Sequence, residues 1–123
     1  MTLNKYQDEA MSTCMDSCDN YSYMMLNLVG EVGELASKIA KDIRKRNALI
    51  EGNELFYPIE PSQFGLRNKE LMLEAGDILW QLAGLCNVMC WSLEEVAQAN
   101  LDKLQARKQA GTISGDGDGI YKR

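Results

Sequence analysis

The residues with the most chemistry in this chain are four acids arranged as two matching pairs. Residues 28 to 35, "LVGEVGEL", align with residues 71 to 78, "LMLEAGDI": Leu28 matches Leu71, Glu31 matches Glu74, Gly33 matches Gly76, Glu34 matches Asp77 and Leu35 matches Ile78. At about 100° per helical residue, each pair of acids sits one turn apart at the edge of an apolar stripe. If the stripes pack together, four carboxylates gather at the border of the core. There they repel and shift toward protonation, an arrangement that cations between them make favourable. With only oxygen ligands on offer, Mg2+ is the first candidate and Mn2+ the second. An isolated E-x-x-E is ordinarily a solvated face. Two copies in one phase, each with an interior glycine, favour metal binding. An interior Gly costs about 0.8–1 kcal/mol against Ala, so Gly33 and Gly76 are expected to give room for a close helix contact or a hydrated ligand.

The elements that must hold these acids read as helices. A first helix is expected over about 3–17, a second over 21–46 and a third over 69–91. Ser92 with Glu95 three residues on forms a capping box that opens a fourth, to about 109. The stripe on the second helix is Leu28, Val32, Leu35, Ile39 and Ile43; on the third it is Leu71, Ala75, Ile78, Leu82, Leu85 and Met89. Nothing reads as an alternating strand, and 47–67, with both prolines, reads as a long connection. The expectation is one all-α domain with a four-helix core over 1–110, followed by a flexible Gly/Asp-rich tail over 111–123. That tail reads either as a segment folding over substrate or as a plain disordered terminus.

Other groups have two readings each. Asn100, Lys103 and Arg107 fall within about 60° on the fourth helix and suit phosphate oxygens, as do Lys38 and Lys41 beside the first acid pair; all five also fit ordinary basic faces. Trp80 reads as a base-stacking ring or as core packing, and Gln7 and Asn27 as polar contacts to a base. A net charge of -5 argues against a nucleic-acid polymer as partner. No apolar run approaches the ~20 residues of a membrane span, and the start lacks a signal-peptide core, so a cytoplasmic protein is expected. The chain has no histidine, which removes Ser-His and Cys-His nucleophile schemes and every His-containing metal site. Cys14/Cys18 and Cys86/Cys90 are two pairs at i, i+4; reduced thiols are preferred there over a zinc site.

At the acid pairs the chain resembles the MazG-type all-α nucleoside triphosphate pyrophosphohydrolases, whose E-x-x-E and E-x-x-D motifs match Glu31, Glu34, Glu74 and Asp77. "LVGEVGELASKIAK", "LEAGDILWQLAGL" and "SLEEVAQANLDKLQAR" are similar to family segments, and the likeness runs from Tyr6 onward. The resemblance implies Mg2+-dependent hydrolysis of a nucleoside triphosphate to monophosphate and pyrophosphate, with the four acids as metal ligands and catalytic groups. It also implies a homodimer or homotetramer. Two departures stand out: Gly30 where many members carry a further Glu, and Gln81 where an aromatic often follows Trp80, a position tied to the nucleoside pocket. A dUTP- or dCTP-selective enzyme is the narrower alternative. A non-catalytic nucleotide-sensing or partner-binding helical module is the alternative from another class.

Overall fold

The computed structural model describes residues 1–111, so all of the expected tail beyond Gly111 lies outside the described residues. The helices are α1 (Leu3–Met11), α2 (Tyr21–Arg44), α3 (Pro61–Val88) and α4 (Leu93–Gln109), with a 3-10 turn at Asp16–Cys18 and two short strands, β1 (Leu49–Glu51) and β2 (Glu54–Phe56). The fold is all-α, as expected.

Local chemistry sets the helix ends. Thr2 and Asn20 cap α1 and α2 by accepting from the backbone N–H of Lys5 and Tyr23 at 3.0 and 2.9 Å, which satisfies donors that a helix start leaves open. The capping box of α4 is complete: Ser92 Oγ accepts from the Glu95 N–H at 3.0 Å, and Glu95 Oε1 from the Ser92 N–H at 3.2 Å. Two residues past the end of α3, Cys90 has φ 59°. The Trp91 N–H reaches back to the Cys86 carbonyl and the Cys90 N–H to that of Asn87, at 2.8 and 3.1 Å, a Schellman turn with cysteine where glycine is usual.

Two helix boundaries and one connection differ from the sequence expectation. Helix α1 stops at Met11, six residues short, where Thr13 and Cys14 turn back on Ala10 and Met11. Helix α3 starts at Pro61 rather than near 69, because proline at the first helical position has the right φ and no N–H to leave unpaired. The connection before it holds an antiparallel hairpin, Leu49 pairing with Phe56 and Glu51 with Glu54 across Gly52-Asn53, with Gly52 at φ 61°. Strands of three residues are too short for alternation to register.

Helices α2 and α3 run antiparallel along one seam. Met24 lies against Gly84, Asn27 bonds Gln81, Glu31 faces Asp77, and Asp42 pairs with Arg67. Beside this seam Ala83, Cys86 and Leu93 are buried with Tyr6, Met11, Leu82 and Val96 around them, joining α1, α3 and the start of α4. The expected stripes are only partly covered. Leu28, Leu35, Ile39, Leu71, Ile78, Leu82 and Leu85 are half-buried, while Val32, Ile43, Ala75 and Met89 are exposed. One antiparallel partner shields a narrow sector of each helix, so the outer flanks of both stay uncovered. Of the two glycine readings, the close contact between these helices is the one corrected. A Cβ at Gly33 or Gly76 would meet nothing within 4 Å, whereas one at Gly84 would overlap the side chain of Met24; the close helix approach is at Gly84.

Candidate metal centre

The antiparallel seam brings Glu31 of α2 against Glu74 and Asp77 of α3. One carboxylate oxygen from each lies within 4.8 Å of the others. An octahedral Mg2+ at about 2.1 Å from its ligands sets neighbouring oxygens about 3 Å apart, so the three carboxylates would have to draw together to hold one ion. Glu31 and Glu74 are half-buried and Asp77 is exposed, leaving one open side.

The oxygen inventory fits a cation. Glu31 Oε1 accepts from Asn27 Nδ2 at 3.4 Å, and Glu74 Oε1 pairs with Lys38 Nζ at 3.2 Å. The second oxygens, Glu31 Oε2 and Glu74 Oε2, are buried without a hydrogen-bond partner among the described residues. Buried polar atoms are nearly always satisfied, and a hard divalent cation satisfies both at once. Burial pushes the Glu31 carboxyl above its ordinary value, helped by the negative charges of Asp77, Glu34 and Glu74 and opposed by the Asn27 hydrogen bond. Burial, and after it the Asp77 charge, raises the phenol of Tyr6 on α1.

Of the four acids, Glu34 is exposed and outside this three-acid group. It sits about 60° round the helix from Glu31, on the solvent flank, and Lys38 takes the place beside Glu74. Lys41 and Asn100 are exposed, and Lys103 and Arg107 are half-buried on α4, which packs chiefly against α1.

The base-contact candidates turn inward. Gln7 is buried: its Nε2 donates to the Trp91 and Ala83 carbonyls at 3.0 and 3.5 Å, and its Oε1 accepts from the Leu93 N–H at 2.8 Å, locking α1 to the α3–α4 turn. Trp80 Nε1 donates to the Ala10 carbonyl and Thr13 Oγ1 at 3.1 and 3.0 Å, securing the end of α1 to α3. Gln81 is 2% exposed and bonds Asn27. All of these amide and indole contacts are internal, the geometry of residues that hold the scaffold.

A second polar constellation escaped the sequence. Asp42 accepts from Arg67 Nε and Nη2, both at 2.8 Å, and from the Tyr57 hydroxyl at 2.7 Å. The guanidinium holds the Asp42 carboxyl below its usual range, and burial with the Asp42 bond pushes Tyr57 up to about 12. These three line a polar cleft of about 410 Å3 with Lys45, Asn47 and Gln63. Partners 15 and 25 residues apart leave no local spacing to detect.

The four cysteines are free thiols, and the acid group is the cluster with metal-ligand geometry among the described residues. No described helix is long and apolar enough to cross a membrane. In comparison with known proteins, the MazG nucleotide pyrophosphohydrolase domain matches residues 19–112. The chain is also similar to Gene 37 protein of Mycobacterium phage L5, 34% identical over 125 residues that span 96% of this chain and 98% of that protein. No solved structure matches the chain.

Proposed function

This chain belongs to the MazG nucleotide pyrophosphohydrolase family, and on that footing we propose that it hydrolyses (d)NTP to (d)NMP and pyrophosphate with Mg2+ or Mn2+, in the cytoplasm. The observation that carries the reading is the convergence of Glu31, Glu74 and Asp77 with two buried, unbonded carboxylate oxygens. Glu31, Glu74 and Asp77 would hold a divalent cation, which would supply charge neutralisation for phosphate oxygens and lower the pKa of an attacking water. Glu34, exposed beside Glu31, is the acid left to accept the proton that this water loses. Lys38, already paired with Glu74, and Lys41 on the same helix meet the phosphates, while Lys103 and Arg107 balance charge on the leaving pyrophosphate.

The active species is a homodimer or a dimer of dimers. Large apolar side chains stand open on both long helices, with Leu26 74% and Val29 69% exposed on α2 and Leu66 72% and Leu73 60% on α3. Helical glycines with empty space beyond them, Gly33 and Gly76, suit close approach of a second chain. Light scattering on the purified protein tests the assembly; a monomer at micromolar concentration refutes it.

Incubation with each nucleoside triphosphate and Mg2+, with product identification, tests the activity. Monophosphate plus pyrophosphate is the expected outcome, and the substrate panel decides between broad and dUTP- or dCTP-selective action. Absence of turnover, together with a melting temperature unmoved by Mg2+ or Mn2+, would overturn the reading in favour of a non-catalytic module.

A further inference from the structure

Asn27 stands between the acids and the buried amide of Gln81, and the order of its hydrogen bonds is informative. Its Nδ2 lies 2.8 Å from Gln81 Oε1, 3.3 Å from the Tyr23 hydroxyl and 3.4 Å from Glu31 Oε1. An amide has two hydrogens: one goes to Gln81, and the other is aimed between Tyr23 and Glu31. Gln81 is itself fixed, because its Nε2 donates to the Met24 carbonyl at 3.4 Å and faces Met24 Sδ at 3.5 Å. With that nitrogen committed, Gln81 presents only an acceptor to Asn27. The acceptor turns the Asn27 amide so that Nδ2, and not Oδ1, faces the Glu31 carboxylate; Oδ1 lies on the opposite side, toward Gly30.

We propose that Asn27, oriented by Gln81, is the positioning residue that holds Glu31 Oε1 and thereby presents Oε2 as a cation ligand. The inference rests on the metal-site reading above. An apolar residue at position 81 would let the Asn27 amide flip and set Oδ1 against the carboxylate, a repulsive contact. Lys38 does for Glu74 what Asn27 does for Glu31: each donor holds one oxygen and leaves the other buried and unbonded. Partners that orient metal-binding carboxylates in this way typically change metal affinity 10–100-fold when removed.

The test uses near-isosteric variants of the full chain, Asn27→Leu and Gln81→Met, and their combination. The readouts are Mn2+ dissociation constants by calorimetry on metal-stripped protein and melting temperatures in chelator. Asn27→Leu should weaken Mn2+ binding about tenfold and Gln81→Met by less. The double variant should bind no more weakly than Asn27→Leu alone, since Gln81 acts through Asn27. Should Asn27→Leu fail to fold, Gln81→Met with Asn27→Ser carries the same comparison. A wild type that binds Mn2+ while the Asn27 variant binds it equally well overturns the positioning role and leaves the metal site standing. Additive losses in the double variant overturn the relay. A wild type that binds neither Mn2+ nor Mg2+ overturns the metal-site reading, and the positioning role with it.

Discussion

Arg67→Met breaks the clasp that ties the end of α2 to the start of α3. The substitution keeps the apolar stem and removes both 2.8 Å donors to Asp42, leaving that carboxylate, in a residue 7% exposed, with the Tyr57 hydroxyl alone. Breaking a buried pair by removing one partner costs about 3–5 kcal/mol. The Arg67 side chain is 22% exposed, so water reaches the orphaned carboxylate and the expected loss is about 2–3 kcal/mol. For a chain of this size that lowers the melting temperature by roughly 10 °C. The pH dependence has a definite sign. Asp42 is depressed below 3.8 in the folded protein, so its stabilisation is present above that value and is lost as pH falls through the lower folded value. The gap between wild type and Arg67→Met should therefore be widest near neutrality and should close below about pH 4. Thermal melts in chelator across pH 3–7 measure it. A loss under about 1 kcal/mol at pH 7, or a gap that does not narrow in acid, would refute the clasp as a stabilising element.

Glu31→Gln should raise or preserve the melting temperature in chelator while abolishing turnover and Mg2+ stabilisation. Because Glu31 is raised above 4.5, the folded wild type holds an extra proton just above that value. Metal-free stability should then fall as pH rises through the window, and this slope should be missing in the variant. Gly84→Ala should cost about 1–3 kcal/mol by overpacking against Met24. Gly33→Ala and Gly76→Ala, which meet no neighbour among the described residues, should gain up to about 1 kcal/mol in a monomer or disrupt a dimer; melts with light scattering distinguish the two. Gln7→Ala, which removes three bonds between α1 and the α3–α4 turn, should destabilise by about 2–3 kcal/mol and leave the Mn2+ dissociation constant unchanged.

Much of this was legible in one dimension. The fourth helix could be read from Ser92 and Glu95 because a capping box spans three residues, and α2 from its apolar period and the cations of its last turn. The acid pairing was legible because the echo between 28–35 and 71–78 repeats a helical phase. The hairpin and the first turns of α3 were not: the strands are short, and Gly65 and two prolines make helix look like loop.

Sequence by itself determined the helical class, the absence of histidine chemistry, and which carboxylates share a face, since composition and local periodicity are properties of short stretches. Only the tertiary structure decided the register of α2 on α3. That register aligns Glu31 with Asp77 and Asn27 with Gln81, gives Glu74 to Lys38 and leaves Glu34 outside the group. It also assigned the close approach to Gly84 and not to Gly33 or Gly76, and turned Gln7 and Trp80 into struts. The physical reason is that periodicity fixes the angle of a side chain about its own helix, while its partner depends on how far and at what rotation a second helix slides along the first. That is settled by packing among residues dozens of positions apart.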